Sequence, residues 1–276
     1  MSRLDEIYAS HPVSERHVLA RLARHNVSLD GLTEWSLAID ADTGLTDQNH
    51  PGGVHSVLAL ALAAGVSAGS TVIDVGAGIG GSARVLAQSF GCSVVAIEQD
   101  SDRYQQGIRL TALVGLSHQV RFLQHDALSS TPDIADADVL WGQSAWAHFP
   151  DPDQFLSLWL PPLKASARIA MEDAFLVREP STHADVQLIR ELEERSATRL
   201  LSVDRWRSAF DAKRCEVVQV RDRTAHANRY FKDLLDVSSG WPPGTVTAEE
   251  KRGWVVTSDA FERGLIAFCA LVANKT

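Results

Sequence analysis

A run of apolar residues, one carboxylate and closely spaced glycines is the part of this 276-residue sequence best suited to bind a ligand. Residues 72–81 read VIDVGAGIGG, and a helical pattern begins at Ser82. An apolar strand that ends in glycines and turns directly into a helix is typical of nucleotide pockets in parallel sheets. The glycines allow positive φ angles, and the first N–H groups of the helix face the ligand. The segment therefore predicts a nucleotide-type pocket.

The glycine spacing alone fits two cofactors. Gly76-x-Gly78-x-x-Gly81 matches the dinucleotide pattern, and Gly76-x-Gly78-x-Gly80 matches the looser pattern of enzymes that use S-adenosylmethionine (SAM). Asp74, just before the loop, would repel a pyrophosphate, whereas it would attract the α-ammonium and sulfonium groups of SAM. The alternative is a structural Asp74 that only accepts hydrogen bonds from loop N–H groups.

Two further carboxylates stand at the ends of the next two predicted strands. Glu98 ends the second apolar run and would accept hydrogen bonds from both ribose hydroxyls of NAD or SAM. Asp126 follows the third run and would accept from the adenine amino group, with Ala127 against the ring. Because ligands bind at the carboxyl ends of parallel strands, we expect these side chains and Asp74 to line one pocket.

These motifs resemble those of class I SAM-dependent methyltransferases. They are most similar to the small-molecule branch with sarcosine/dimethylglycine, phosphoethanolamine, tocopherol and sterol methyltransferases. The resemblance runs from about residue 45 to the C-terminus, and the matching segments are 47–53 (DQNHPGG), 72–84 (VIDVGAGIGGSAR), Glu98, Asp126-Ala127 and 143–148 (QSAWAH). It implies that the glycine loop holds the methionine part of SAM, Glu98 the ribose and Asp126 the adenine. Residues 164–166 depart from the Lys-Pro-Gly-Gly turn that is usual in the family.

The expected cofactor is therefore SAM, with S-adenosylhomocysteine as its product, and no metal is expected. The expected cofactor-binding residues are Asp74, Gly76, Ala77, Gly78, Gly80, Glu98, Gln99, Asp126, Ala127 and Gln143. Two other functions stay open at this point: a SAM-binding protein of the same fold that does not methylate, and an NAD-dependent reductase. The reductase is disfavoured because such an enzyme would ordinarily lack Asp74 and the Asp126-Ala127 pair.

The methyl acceptor is expected to meet the residues after the fourth strand. His148 is placed to take a proton from an amine, phenol or hydroxyl, although a base is needed only when the acceptor arrives protonated. Positioning supplies most of the acceleration of such a displacement, so a His148 that only packs or orients is the alternative. The further substrate candidates are Trp35, His50, Trp146 and Asp173, for which core, lid or structural roles are the alternatives.

The elements that must position these residues alternate between strands and helices. This pattern predicts an α/β, Rossmann-like, doubly wound and mostly parallel seven-stranded sheet, with an N-terminal helical cap and a helical insertion after the fifth strand. Residues 1–52 are expected to form the cap and loop, and residues 53–276 the SAM-binding methyltransferase domain, with the insertion at about 180–210. The later strands are expected at 137–141, 167–171, 215–220 and 265–272, the last antiparallel by the resemblance.

Composition limits the partners. The net charge of −9 and the lack of a basic run argue against nucleic acid. The most apolar stretch, 54–66, contains His55 and is too short to span a bilayer, and the N-terminus lacks a signal-peptide pattern. Cys92, Cys215 and Cys269 are interpreted as buried thiols in a reducing compartment. We expect a cytoplasmic monomer or homodimer that methylates an N or O atom of a small molecule, without nucleic-acid or membrane partners.

Overall fold

Short apolar runs that are buried on both faces form the strands at the centre of the molecule. The computed structural model describes residues 13–38, 46–48, 50–241 and 243–276. Its strands are β1 (Thr71–Val75), β2 (Ser93–Glu98), β3 (Val120–Gln124), β4 (Ala137–Gln143), β5 (Leu163–Leu176), β6 (Cys215–Asp222) and β7 (Ile266–Lys275). They form one sheet in the order β3-β2-β1-β4-β5-β7-β6, in which β7 runs antiparallel to β5 and β6. The predicted mostly parallel seven-stranded α/β sheet is confirmed.

One strand is longer than the sequence indicated. β5 begins at Leu163, where residues 164–166 were expected to form a turn before the strand. Its pairing with β4 shifts in register between the pairs Ala137–Leu163 and Val139–Arg168, so those residues lie in an irregular first part of β5. At its other end β5 continues past the predicted residue 171, which carries Glu172 and Asp173 to the carboxyl edge beside the end of β4.

Helices cover both faces of the sheet. They are α1 (Glu15–Arg24), α2 (Glu34–Leu37), α3 (Gly53–Ala63), α4 (Gly81–Phe90), α5 (Ser101–Leu113), α6 (Pro152–Trp159), α7 (His183–Ser196), α8 (Val203–Ala212), α9 (Thr224–Val237) and α10 (Ala248–Glu262). Successive strand residues face opposite sides, so Val72 packs in the core cluster with α1 to α5, whereas Ile73 packs in the cluster with α6 and α8. This arrangement is the doubly wound one that the sequence predicted.

The N-terminal helices pack onto the same core as the sheet. Helix α1 begins after Ser14, whose hydroxyl accepts a hydrogen bond from the His17 N–H and so caps the helix. Val18 and Leu22 of α1 are completely buried, in one cluster with Val72 of β1. The boundary between a cap and a methyltransferase domain at residues 52 and 53 stays a prediction.

The helical insertion after β5 consists of α7 and α8, and Ala197, with a left-handed φ of 50°, ends α7. Two further helices, α9 and α10, lie between β6 and β7 and were not predicted from the sequence. They pack with α7 in a third apolar cluster through residues such as Leu188, Ala227 and Phe261. Among the described residues, no helix combines the length and the apolar character that a membrane crossing requires.

Candidate cofactor and acceptor site

The turn between β1 and α4 takes a backbone path that only glycine follows without strain. Gly76 has a φ of 82° and Gly78 a φ of 58°, both in the left-handed region. A Cβ on Gly76 would lie 2.6 Å from the Cβ of Ala145, and one on Gly78 would lie 2.6 Å from Nη2 of Arg103. The loop is also fixed from below, because the N–H groups of Gly76 and Ala77 both donate to the Ile97 carbonyl. The result is a rigid backbone cradle at the edge of the sheet.

A cavity of about 810 Å³ opens above this cradle at the carboxyl ends of the parallel strands. The predicted cofactor residues that line it are Asp74, Gly76, Ala77, Gly78, Glu98, Gln99, Ala127 and Gln143, and the predicted acceptor residues that line it are His50 and His148. The structure therefore brings most of the predicted site into one cavity.

Two predicted cofactor residues lie outside the cavity lining. Asp126 is exposed, and its Oδ1 accepts a hydrogen bond from the Leu128 N–H at 2.9 Å, so the carboxylate caps a turn. Gly80 faces the packed core, because a Cβ there would lie 2.5 Å from Cζ of Phe122. The absence of a side chain at Gly80 therefore allows the loop to pack against Phe122 of β3. The proposed contact of Asp126 with the adenine stays a prediction.

Asp74 is a carboxylate that is buried near the end of β1. Its Oδ2 is inaccessible to solvent and has no hydrogen-bond partner among the described residues. Burial, and then the negative charge of Glu98, raise the pKa of Asp74 to about 7. A buried acceptor with no donor is costly, and a cationic donor in the cavity would relieve that cost.

Glu98 differs from Asp74 because backbone N–H groups already hold it. Its Oε2 accepts from Gly78 N–H and its Oε1 from Asp100 N–H, each at 2.8 Å. Burial raises the pKa of Glu98 even though the nearby Arg103 charge opposes that shift. Because an ionised carboxylate has about four acceptor sites, two remain for hydroxyl donors in the cavity.

His148 has a defined tautomer. Its Nδ1 lies 3.0 Å from the carbonyl oxygen of Ala197, and because a carbonyl only accepts, Nδ1 must carry the proton. Burial lowers the pKa of His148, so the ring is neutral near pH 7 with its lone pair on Nε2. The neutral ring therefore has the protonation state that a general base requires.

A chain of buried polar side chains crosses the floor of the cavity. His50 Nε2 lies 3.2 Å from Ser82 Oγ, which donates to Gln143 Oε1 at 2.9 Å. The Gln143 amide in turn donates to Glu172 Oε2 at 2.9 Å, and Ser56 donates to the same oxygen. The Gln143 amide nitrogen thus donates to Glu172, and its amide oxygen accepts from Ser82. The chain joins the first turn of α4 to the ends of β4 and β5.

The remaining substrate candidates lie away from the cavity lining. Trp146 is completely buried, with its ring centroid 4.7 Å from that of Phe155 and 5.7 Å from that of Trp206. Trp35 of α2 is 44% exposed. Asp173 is buried, and burial raises its pKa to about 6 although four backbone N–H groups donate to the carboxylate. The substrate roles of these three residues stay predictions.

Several lining residues were not selected from the sequence. They are Asp47, Ile79, Gly81, Ser82, Ile97, Arg103, His125, Ser144, Ala145 and Phe149. Some were detectable: Ser82 directly follows the glycine loop, and His125 precedes Asp126 at the tip of β3. Arg103 gave no signal, because its contact with the loop depends on how α5 packs against β2 and not on any local pattern.

A second group of buried charges joins the N-terminal segment to α4. Arg84, which is completely buried, donates to Glu34 Oε2 and to Asp47 Oδ2, each at 2.7 Å. The same guanidinium donates to the carbonyl of Ile79 in the glycine loop at 2.7 Å. Gln48 donates to both carboxylates at 3.1 Å. Burial, and then the charge of Asp47, raise the pKa of Glu34 well above its usual range.

The residues of the cavity fit SAM on chemical grounds. The unpartnered Oδ2 of Asp74 requires a donor, and the α-ammonium of SAM is a cationic donor. The backbone at Gly76 and Gly78 has no side chain that would keep a ligand away. The remaining acceptor sites of Glu98 suit a ribose diol.

Comparison with known proteins agrees with this fit. Residues 72–164 match a family model described as a methyltransferase domain. The chain is 34% identical over 85 residues to the tocopherol O-methyltransferase of Arabidopsis thaliana, and 33% identical over 91 residues to the sterol 24-C-methyltransferase of Eremothecium gossypii. These alignments cover 31% and 33% of this chain, and the chain spans only 24% of the length of either relative.

A solved structure supports the fold over a longer range. The phosphoethanolamine N-methyltransferase 2 of Haemonchus contortus, solved with phosphomonomethylethanolamine and S-adenosylhomocysteine, superposes with a TM-score of 0.73 at 16% identity. The match covers 95% of this chain and 60% of that chain. Together with the family model and the strand order 3-2-1-4-5-7-6, it identifies the architecture. The chain therefore contains a segment, residues 72–164, that matches a methyltransferase domain, and it shares the fold of this solved structure.

Proposed function

We propose that this protein transfers the methyl group of SAM to a small molecule at an N or O atom. The observation that carries the proposal is the unpartnered Asp74 carboxylate, buried beside a glycine cradle within the methyltransferase domain. A polyanionic dinucleotide would increase the electrostatic cost of Asp74, whereas a cationic cofactor reduces it. This contrast disfavours an NAD-dependent reductase.

Each part of the cofactor has a candidate partner. Asp74 would hold the α-ammonium, the backbone at Gly76 to Gly78 the methionine part, and Glu98 the ribose hydroxyls. Ala127 would lie against the adenine, where His125 lines the same part of the cavity. Bound there, SAM supplies a methyl group attached to a positively charged sulfur.

His148 is the proposed base. A neutral imidazole with its proton on Nδ1 can accept one at Nε2 from an amine, phenol or hydroxyl. The Ala197 carbonyl keeps the ring oriented while it does so. His50 and Gln143 line the same cavity and would help to orient the acceptor. For an acceptor that arrives already deprotonated, His148 would only position it.

The proposed acceptor class is a small molecule, because the sequence has no run of basic residues that would bind a nucleic acid. The two curated relatives above are named for an O- and a C-methylation, and the solved structure for an N-methylation. An N or O acceptor is favoured here because His148 offers the proton transfer that such acceptors need.

The first experiment concerns the cofactor. Calorimetry should show binding of SAM and S-adenosylhomocysteine to the purified protein and no comparable binding of NADH. Tight NADH binding without SAM binding would reject the proposal. A radiolabelled methyl-transfer screen with amines, phenols and carboxylates then tests the reaction. SAM binding without transfer to any acceptor in a broad panel would favour a non-methylating protein of this fold.

The second experiment concerns His148. With an acceptor from the screen, His148→Ala should lower kcat by about a hundredfold, the usual contribution of a general base. The affinity for SAM should change little, because the ring is proposed to contact the acceptor. An unchanged kcat with an unchanged pH profile would assign His148 an orienting role.

A further inference from the structure

The segment 144–149, here called the β4 loop, carries His148 but has little regular structure of its own. Ser144, at its start, has a left-handed φ of 48°, and only a single 3₁₀ turn, Trp146–His148, follows. Ser144, Ala145, His148 and Phe149 all line the cavity. Such a loop holds a side chain in one place only if other elements fix its backbone.

Asp173 fixes one side of the β4 loop. Its Oδ2 accepts hydrogen bonds from three successive N–H groups, those of Ala145, Trp146 and Ala147, at 3.0, 2.8 and 3.1 Å. Its Oδ1 accepts from the Ala174 N–H at 2.8 Å. Three successive N–H groups that converge on one oxygen form an anion-binding concavity. Asp173 fills this concavity from the end of β5, and it is only 5% exposed.

The corner between α7 and α8 fixes the other side. The N–H of Arg199 donates to the Ala147 carbonyl at 2.7 Å, and the Ala197 carbonyl accepts from His148 Nδ1 at 3.0 Å. The backbone of Ala147 is thus held on both sides: its N–H donates to Asp173, and its carbonyl accepts from the Arg199 N–H. His148 is the next residue, so the position of its ring depends on this backbone.

We propose that Asp173 is a positioning residue that keeps His148 in the Nδ1–H tautomer by fixing the backbone of the β4 loop. Asp173 does not line the cavity, and its four described hydrogen bonds all come from backbone N–H groups, so the proposed effect passes through the loop. Without its carboxylate the three N–H groups would be left buried and unpaired, and the loop would move to solvate them. The hydrogen bond of His148 to Ala197 would then weaken. The catalytic consequence rests on the proposed base role of His148, whereas the structural coupling does not.

The test uses Asp173→Asn in the full-length protein. An amide has the same shape but only one oxygen, so it cannot accept from both the Ala174 N–H and the three loop N–H groups. Asp151→Asn is the matched control, because Asp151 also accepts from two backbone N–H groups at the start of α6 but is exposed. The tautomer of His148 is read from ¹⁵N–¹H spectra of histidine-labelled protein, with the ring assigned by loss of its signals in His148→Gln.

The wild type and Asp151→Asn should show His148 as the Nδ1–H tautomer. In Asp173→Asn the preference for that tautomer should fall about tenfold, which corresponds to about 1.4 kcal/mol. Binding of S-adenosylhomocysteine should change by less than about threefold, because the hydrogen bonds that hold Glu98 and the Gly76–Ala77 backbone do not involve Asp173. An unchanged His148 tautomer in Asp173→Asn would overturn the proposal, as would the same shift in Asp151→Asn.

If Asp173→Asn does not fold, measurements on the wild-type protein test the proposal instead. Slow hydrogen exchange of the amides at 145–147 together with an Nδ1–H ring at His148 supports the proposal, and fast exchange or an Nε2–H ring overturns it. A result that excludes His148 as the base is distinct from a result that excludes its coupling to Asp173. If His148→Ala keeps full turnover while Asp173→Asn still shifts the tautomer, then the proposed function of His148 is wrong and the coupling holds.

Discussion

Two groups of buried carboxylates flank the glycine loop, and they differ in what neutralises them. Glu34 and Asp47 share the guanidinium of Arg84, at 2.7 Å to each, and all three side chains are completely buried. Asp74, by contrast, has one oxygen without a hydrogen-bond partner among the described residues, and the like charge of Glu98 raises its pKa. One group is satisfied by its own ion pairs, whereas the other keeps an acceptor oxygen that no described donor reaches.

The difference separates structure from function. A buried ion pair that is fully hydrogen-bonded holds elements in register but leaves no bonding capacity for a ligand. A buried carboxylate with a raised pKa in a cavity costs stability, and proteins keep such groups mainly at functional sites. We therefore propose that the Arg84 group anchors the N-terminal segment on α4 and that Asp74 binds the cofactor.

The largest expected effect comes from breaking the satisfied group. Arg84→Met should lower the free energy of unfolding by about 3–5 kcal/mol, because Glu34 and Asp47 would stay buried without their cation. Chemical denaturation measures the loss. Arg190→Met is the matched control: its pair with Glu194 is 69% and 49% exposed, so a change below about 0.5 kcal/mol is expected. Equal effects of the two substitutions would contradict the anchoring role.

A substitution at Asp74 is expected to lower the affinity for SAM and not the free energy of unfolding. Asp74→Asn should weaken SAM binding by about thirtyfold or more, since a hydrogen bond to a charged group contributes about 2 kcal/mol. The free energy of unfolding of the unliganded protein should not fall, and should rise by about 1 kcal/mol at pH 8, because a buried charge is removed. Calorimetry and denaturation measure the two quantities. A destabilised protein with normal SAM affinity would make Asp74 structural.

The raised pKa of Asp74 predicts how SAM binding depends on pH. Because the pKa is about 7, roughly half of the carboxyl groups are ionised at pH 7 and about a tenth at pH 6. The α-ammonium of SAM is protonated throughout this interval. SAM affinity should therefore fall about fivefold from pH 7 to pH 6, with a proton released on binding near pH 7. Calorimetry in buffers of different ionisation enthalpy measures both, and in Asp74→Asn both should vanish.

The Asp74 carboxyl gives the free energy of unfolding a pH dependence opposite to that of SAM affinity. A carboxyl whose folded-state pKa is raised from 3.8 to about 7 binds a proton more tightly in the folded than in the unfolded chain. Its contribution to the stability of the unliganded protein is therefore greatest at low pH and is lost as the pH rises through about 7. SAM should reverse this trend, because pairing with a cation favours the ionised form.

The fold was predictable where local patterns carry it. The apolar runs of β1 to β4 and the glycine turn after β1 follow from burial on both faces and from positive φ angles, which are local requirements. Helices α9 and α10 were missed although α9 is amphipathic, because they lie between β6 and β7 and pack in the third apolar cluster, outside the strand–helix alternation that predicts the doubly wound sheet. The early start of β5 was missed because a bulge has no local sequence signature.

The site was predictable only in part for a similar reason. Carboxylates at strand ends can be located because all parallel strands end at one edge, which is how Asp74 and Glu98 were found. The partners of Arg84 lie 37 and 50 residues away in the chain, and those of Glu172 lie 29 and 116 away. No local pattern records such pairs, because they form only when helices and strands pack together.

The smallest expected effect concerns the residue for which the resemblance and the geometry differ most. By resemblance Asp126 holds the adenine, but its exposed carboxylate accepts from the Leu128 N–H outside the cavity lining. Asp126→Asn should therefore weaken SAM binding by less than about threefold, since an amide oxygen can keep that turn. Glu98→Gln is the comparison, with an expected loss of about tenfold, because it removes one acceptor oxygen of a buried carboxylate in the cavity.

If calorimetry instead gave equal losses, the Asp126 side chain would have to turn toward the adenine when SAM binds, and the adenine end of the cavity would be shaped by the ligand. A small loss at Asp126 would leave the backbone at Ala127 and the ring of His125 to recognise the adenine.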